Sequence, residues 1–107
     1  MVAAMNADQR DRAAQLAAYY AATPSQISRR LGISFEGLCV AFDQIDFIDL
    51  VRHHEGRLVQ HALDHLYEVD LPTQSIKHKM AEASHKQRVS LARDICVRLP
   101  PHHRWPS

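Results

Sequence analysis

The run Thr23-Pro24-Ser25-Gln26-Ile27-Ser28-Arg29-Arg30-Leu31-Gly32-Ile33-Ser34 constrains the fold more than any other stretch, because its residues suit one register of helix, tight turn and second helix. Thr23 carries a hydroxyl that can cap a helix start, and Pro24 fits the first helical position, where no backbone N–H is needed. Gln26 stands three residues after Thr23, where it can close a capping box. Ile27 and Leu31, four apart, share one inward face. Ser28 between them is small enough for a second helix to approach closely. Gly32 follows Leu31 directly, where a sharp turn needs φ > 0. Ile33 then re-enters the core and Ser34 can cap the next helix, whose apolar stripe is Leu38, Ala41, Phe42 and Ile45. A helix pair turned this tightly, with a polar outer face, has the form of a helix-turn-helix at about Thr23–Ile45, able to place its second helix in a major groove. The same signals also fit an ordinary corner between two helices that never touches DNA.

The rest of the chain reads as helix too. Asn6 with Gln9 can cap a first helix from about Ala7 to Ala22, with Ala13, Leu16, Ala17 and Tyr20 as its stripe. The second and third helices span Pro24–Leu31 and Phe35–Gln44. Gly37 lowers the propensity of the third by roughly 1 kcal/mol relative to alanine, which fits a close approach of backbone or phosphate. Asp46 starts a long fourth segment with Phe47, Leu50, Val51, His54, Leu58, His61, Ala62, His65 and Leu66 at helical spacing, and Gly56 is placed to break it in two. Pro72 stops and restarts the chain. A fifth helix follows from about Thr73 to Ala81, with Ile76 and Met80 inward. Ser84 and Gln87 form another capping box and open a sixth helix carrying Val89, Ala92, Ile95, Cys96 and Leu99. Pro100-Pro101 ends it and begins a basic, aromatic tail, 100–107, that either docks through Trp105 or stays loose. Only 3 glycines occur in 107 residues, and no run alternates apolar with polar residues. The expected fold is a single all-α domain spanning 1–107, a compact bundle of about six helices containing the helix-turn-helix.

No apolar stretch approaches the length of a membrane span, and Met1–Met5 lacks the basic and apolar regions of a signal peptide, so a soluble cytoplasmic protein is expected. Cys39 and Cys96 lie among helix-face apolar residues and read as buried free thiols. The net charge of +1 conceals an uneven distribution. Residues 43–74 are acidic, with Asp43, Asp46, Asp49, Glu55, Asp64, Glu68 and Asp70 against Arg52 and Arg57. Residues 75–107 are basic, with Lys77, Lys79, Lys86, Arg88, Arg93, Arg98 and Arg104 against Glu82 and Asp94. Basic ends can meet phosphate while the acidic middle faces away or meets a basic partner.

The 8 histidines invite a metal or catalytic reading. His61 and His65 are i, i+4 on one helix face, but sequence places no third ligand. His53, His54, His78 and His85 are scattered without ligand spacing. No glycine-rich phosphate loop or serine elbow occurs, and neither cysteine has a local base. No catalytic residue, metal or cofactor is therefore expected, and the chain reads as a non-enzyme. For DNA, Ser34, Phe35, Glu36, Cys39 and Val40 lie early on the third helix, beside or opposite the Leu38–Phe42 stripe. Glu36 can accept from a cytosine amino group and Phe35 can meet a thymine methyl. Ser25, Gln26, Arg29 and Arg30 on the preceding helix would fix phosphates.

With Ile27, Ser28, Gly32, Ile33, Ser34, Leu38 and Phe42 at these spacings, the chain resembles the DNA-binding domain of AraC-type transcription regulators. Ala62 and Leu66 match that family's linker helix, Ile76 its second-unit anchor, and Pro100 with Arg104 its closing residues. The resemblance covers about Ser25–Arg104 and implies two helix-turn-helix units joined by a long helix. Ala81 and Glu82 stand where the second unit has glycine and an aromatic, which leaves Lys77, Lys79, Lys86 and Arg88 as phosphate contacts. Arg30-Leu31-Gly32-Ile33-Ser34 followed by Asp46-Phe47-Ile48-Asp49-Leu50-Val51 is also similar to FlhD-like subunits of flagellar transcription activators, which implies action through a partner subunit. The expected function is a small DNA-binding transcriptional regulator, homodimeric, acting on double-stranded DNA, with a possible second regulatory protein as partner. The alternative is a protein-interaction module, a co-activator subunit or anti-activator, that binds another regulator through Asp43–Asp70. A third, minor alternative is a metal-responsive or catalytic helical domain built on His61 and His65.

Overall fold

The computed structural model describes residues 5–106, which form six α-helices and no strand. In chain order these are α1 (Ala7–Tyr20), α2 (Pro24–Leu31), α3 (Phe35–Phe42), α4 (Ile45–Asp64), α5 (Thr73–Glu82) and α6 (His85–Cys96), with short 3-10 turns at Leu66–Glu68 and Pro101–His103. Most of the Met1–Met5 stretch and the last tail residue, Ser107, lie outside the described residues.

The helix starts follow from cap chemistry. Asn6 with Gln9, Thr23 with Gln26 and Ser84 with Gln87 each close a reciprocal capping box, at the start of α1, α2 and α6. Each box satisfies two backbone donors, and such caps contribute about 1 kcal/mol apiece. Ser34 caps α3 more simply, its Oγ accepting from the Gly37 N–H at 3.3 Å.

The chain divides into two units, Met1–His54 and Glu55–Ser107, with the boundary inside α4. In the first unit, α1 packs on α2 and α2 on α3 around Ala13, Ala14, Ile27, Ile33, Leu38, Ala41 and Phe47. Phe42 joins the rim, its ring 5.1 Å from that of Phe47. Gly32 caps α2 in the left-handed region at φ 67°, and its N–H donates to the Ser28 carbonyl at 2.9 Å. Ser28 does more than leave room: its hydroxyl donates to the Ile33 carbonyl at 2.6 Å, bracing the turn from inside.

Two stripes differ from expectation. On α1 the buried residues are Ala13, Ala14, Ala18 and Tyr19, while Leu16 and Ala17 are half-buried and Tyr20 is exposed. A helix this rich in alanine has little apolar contrast around its circumference, so the Tyr19-Tyr20 pair left the face ambiguous by one residue. On α3, Leu38 and Ala41 are buried, but Ile45 is 76% exposed. The helix ends at Phe42 and Ile45 opens α4 instead, so the helical count from Leu38 is broken before it reaches Ile45.

The second unit holds the rest of α4 with α5 and α6, and buries Leu58, Ala62, Leu66, Met80, Val89, Ala92, Ile95, Cys96 and Leu99. Ile76 is half-buried. Gly56 does not divide α4, which runs unbroken through it. Burial of Phe47, His54, Leu58 and Ala62 along one stripe of α4 offsets the roughly 1 kcal/mol that a single interior glycine costs. Both cysteines are free, Cys96 buried and Cys39 half-buried. Among the described residues, no helix is long and apolar enough to cross a membrane.

Candidate nucleic-acid interface

Local geometry puts the residues expected to meet DNA on the outer side of the α2–α3 pair. Ser25, Gln26, Arg29 and Arg30 are exposed on α2, and Ser34, Phe35, Glu36 and Val40 are exposed at the start and outer face of α3. Cys39 is half-buried between that face and the core. The division follows from the helical period: Ile27, Ile33, Leu38 and Ala41 take the inner face, which leaves 25, 26, 29, 30, 35, 36 and 40 outside.

Several of these side chains already have partners. Gln26 Oε1 accepts from the Thr23 N–H at 2.9 Å, and Ser34 Oγ is held by its cap bond. The Arg30 guanidinium lies over the Tyr20 ring, 5.7 Å from its centroid. Arg29 and Arg30 stand in the last turn of α2, where cations also suit the negative end of the helix dipole. They border a shallow concavity with Leu16, Tyr20, Ala22 and Gln26. The outer face of α3 is different in chemistry. Phe35 is 51% and Val40 56% exposed, with Glu36 beside them, and α3 carries no basic side chain.

In the second unit, Lys77, Lys79 and Lys86 are exposed, as a phosphate contact requires. Arg88 is half-buried and already holds two backbone carbonyls. Its Nε donates to the Met80 carbonyl at 2.9 Å and its other guanidinium nitrogen to the Ala83 carbonyl at 3.0 Å. The guanidinium therefore closes the C-terminal end of α5, where backbone carbonyls lack helical partners.

The histidines are more organised than their spacing suggested. His54 is 2% exposed and its Nε2 lies 2.7 Å from Asp11 Oδ1 on α1. Its Nδ1 is buried with no hydrogen-bond partner among the described residues. In the second unit, His65 Nδ1 is 2.6 Å from Glu68 Oε2, and His103 Nδ1 is 2.9 Å from Glu68 Oε1. These bonds, that of His103 foremost and then that of His65, hold the Glu68 carboxyl below its ordinary range. His61 Nε2 contacts the His103 carbonyl, so the tail docks through Pro101–His103, and Trp105 is half-buried. The His65-x-x-Glu68 spacing was visible in the sequence, but nothing local announced His103.

The chain matches no family model, no curated protein and no solved structure. The AraC-type and FlhD-like resemblances accordingly rest on the residues quoted for them.

Proposed function

We propose that the chain is a small transcriptional regulator that binds double-stranded DNA through α2 and α3 used as a helix-turn-helix. The observation that carries this reading is the Gly32-turned pair whose outer side is left uncovered by the described residues of its own unit, with Ser25, Gln26, Arg29, Arg30, Ser34, Phe35, Glu36 and Val40 all exposed there. Arg29 and Arg30 anchor phosphates, while Phe35 and Glu36 at the start of α3 meet base edges. One such pair buries little surface, so the protein acts in the cytoplasm as a homodimer on half-sites about one helical turn, roughly 34 Å, apart. A mobility-shift titration on mixed duplex at low and moderate salt tests this. Binding that weakens steeply with salt, and weakens further in the Arg29→Ala/Arg30→Ala variant, is expected; identical binding by the variant contradicts it.

A second reading draws on the chemistry of α3 itself. Phe35, Val40 and the nearby Ile45 are all more than half exposed, with Glu36 and Asp43 among them. Exposed apolar side chains with carboxylates and no basic residue near them in the chain disfavour phosphate and suit a protein partner, as in a co-activator subunit or anti-activator. The titration separates the two readings, because an interaction module gives no shift on duplex at any salt.

A further inference from the structure

Histidines His61, His65, His102 and His103 form a chain of ring contacts in the second unit, and two of them, His65 and His103, meet Glu68. Ring centroids are 4.4 Å apart for His61 and His65, 4.8 Å for His65 and His103, and 4.2 Å for His102 and His103. Elsewhere among the described residues, Asp11 meets His54, Glu55 meets His85 and Glu82 meets His78. Glu68 differs in receiving two, and both rings turn the same atom, Nδ1, toward it. One donor atom from each of His65, Glu68 and His103 lies within 4.8 Å of the others.

We propose that His65 Nδ1, His103 Nδ1 and a carboxylate oxygen of Glu68 form a binding site for one divalent transition-metal ion, with zinc the best match. Two imidazoles and one carboxylate are a donor set that zinc takes, and imidazole also suits copper and nickel. Tetrahedral coordination with bonds of about 2.1 Å sets donors roughly 3.4 Å apart. The nitrogen–oxygen separations of 2.6 and 2.9 Å are those of hydrogen bonds, so exchanging hydrogen for metal moves each nitrogen about 0.5–1 Å away from the oxygen, while the two Nδ1 atoms, within 4.8 Å of each other, close by up to roughly 1.4 Å. Where an imidazole is neutral, its hydrogen passes from Nδ1 to Nε2 as Nδ1 gives its lone pair to the metal. Where it is an imidazolium, one proton leaves to solvent. All three side chains are only partly buried, so an ion has a way in and water can take the fourth position. His61 Nε2 is engaged by the His103 carbonyl, which leaves that position to water. The ion ties the Pro101–His103 turn to the Leu66–Glu68 turn and the end of α4.

The test uses the untagged full chain, stripped with chelator and titrated with zinc against a chromophoric competitor. One ion per chain is expected, with Glu68→Gln and His103→Gln each weakening uptake roughly tenfold or more, and a His53→Gln/His78→Gln control unchanged. In the unmodified chain, long-range proton–nitrogen spectra of the histidine rings should show zinc moving the Nδ1 signals of His65 and His103. This readout holds even if a variant fails to fold. The proposal is overturned by failure of one-to-one uptake, by full uptake in the Glu68→Gln/His103→Gln double variant, or by zinc moving other histidines instead.

Discussion

At the scale of single residues, Gly32 and Gly56 separate two uses of glycine. A Cβ added at either would meet nothing within 4 Å, so space decides neither. Backbone does. Gly32 sits at φ 67°, where an L side chain is strained, while Gly56 is an ordinary interior position of α4. Gly32→Ala is therefore expected to destabilise by about 1 kcal/mol and Gly56→Ala to stabilise by a similar amount. Denaturant unfolding of both variants checks the pair of signs. Changes in the same direction would show that something other than backbone conformation governs one position. Cys96 gives a second residue-scale prediction. Burial pushes its thiol up from 9.0 to about 11. The unfolded chain loses that proton first, so the stability involved is intact below pH 9 and declines as pH rises toward 11. Unfolding midpoints taken from pH 8 to pH 11 should fall faster in the unmodified chain than in Cys96→Ala. Parallel decline would contradict a buried neutral thiol.

At the scale of elements, what was legible in the sequence was what is local. The boxes at Asn6, Thr23 and Ser84, proline at the start of α2 and Gly32 at its end are set by residues within four positions of one another, and all are present. The inner faces of α2 and α6 were legible for the same reason, since branched apolar residues stand out against polar neighbours. The face of α1 was not, because alanine buries equally well on several sides. Partners of His54, Arg88 and Glu68 were also hidden. Asp11 lies 43 positions before His54 and His103 lies 35 positions after Glu68, so their meeting is a product of packing and not of spacing. Arg88 carries the element-scale prediction. Arg88→Ala removes the side-chain donor from the Ala83 carbonyl and leaves the Met80 carbonyl only the Ala83 N–H, and should lower stability by about 1–3 kcal/mol while leaving DNA affinity per folded molecule unchanged. Unfolding measured beside a mobility shift decides it. Unaltered stability with weakened binding would return the guanidinium to a phosphate.

At the scale of the whole molecule, the near-neutral total of +1 means that no global field drives the chain to nucleic acid. Any affinity has to come from a few placed cations, and the exposed ones on the α2–α3 pair are Arg29 and Arg30. Each phosphate neutralised contributes close to −0.9 to the slope of log affinity against log salt, so the claim has a number attached. The most direct measurement is that slope for the unmodified chain and for Arg29→Ala/Arg30→Ala, on one duplex from about 50 to 200 mM salt. The account predicts a clear negative slope that becomes shallower by about 2 units per protomer in the variant. Equal slopes in the two proteins would mean that the outer side of α2 and α3 does not face DNA.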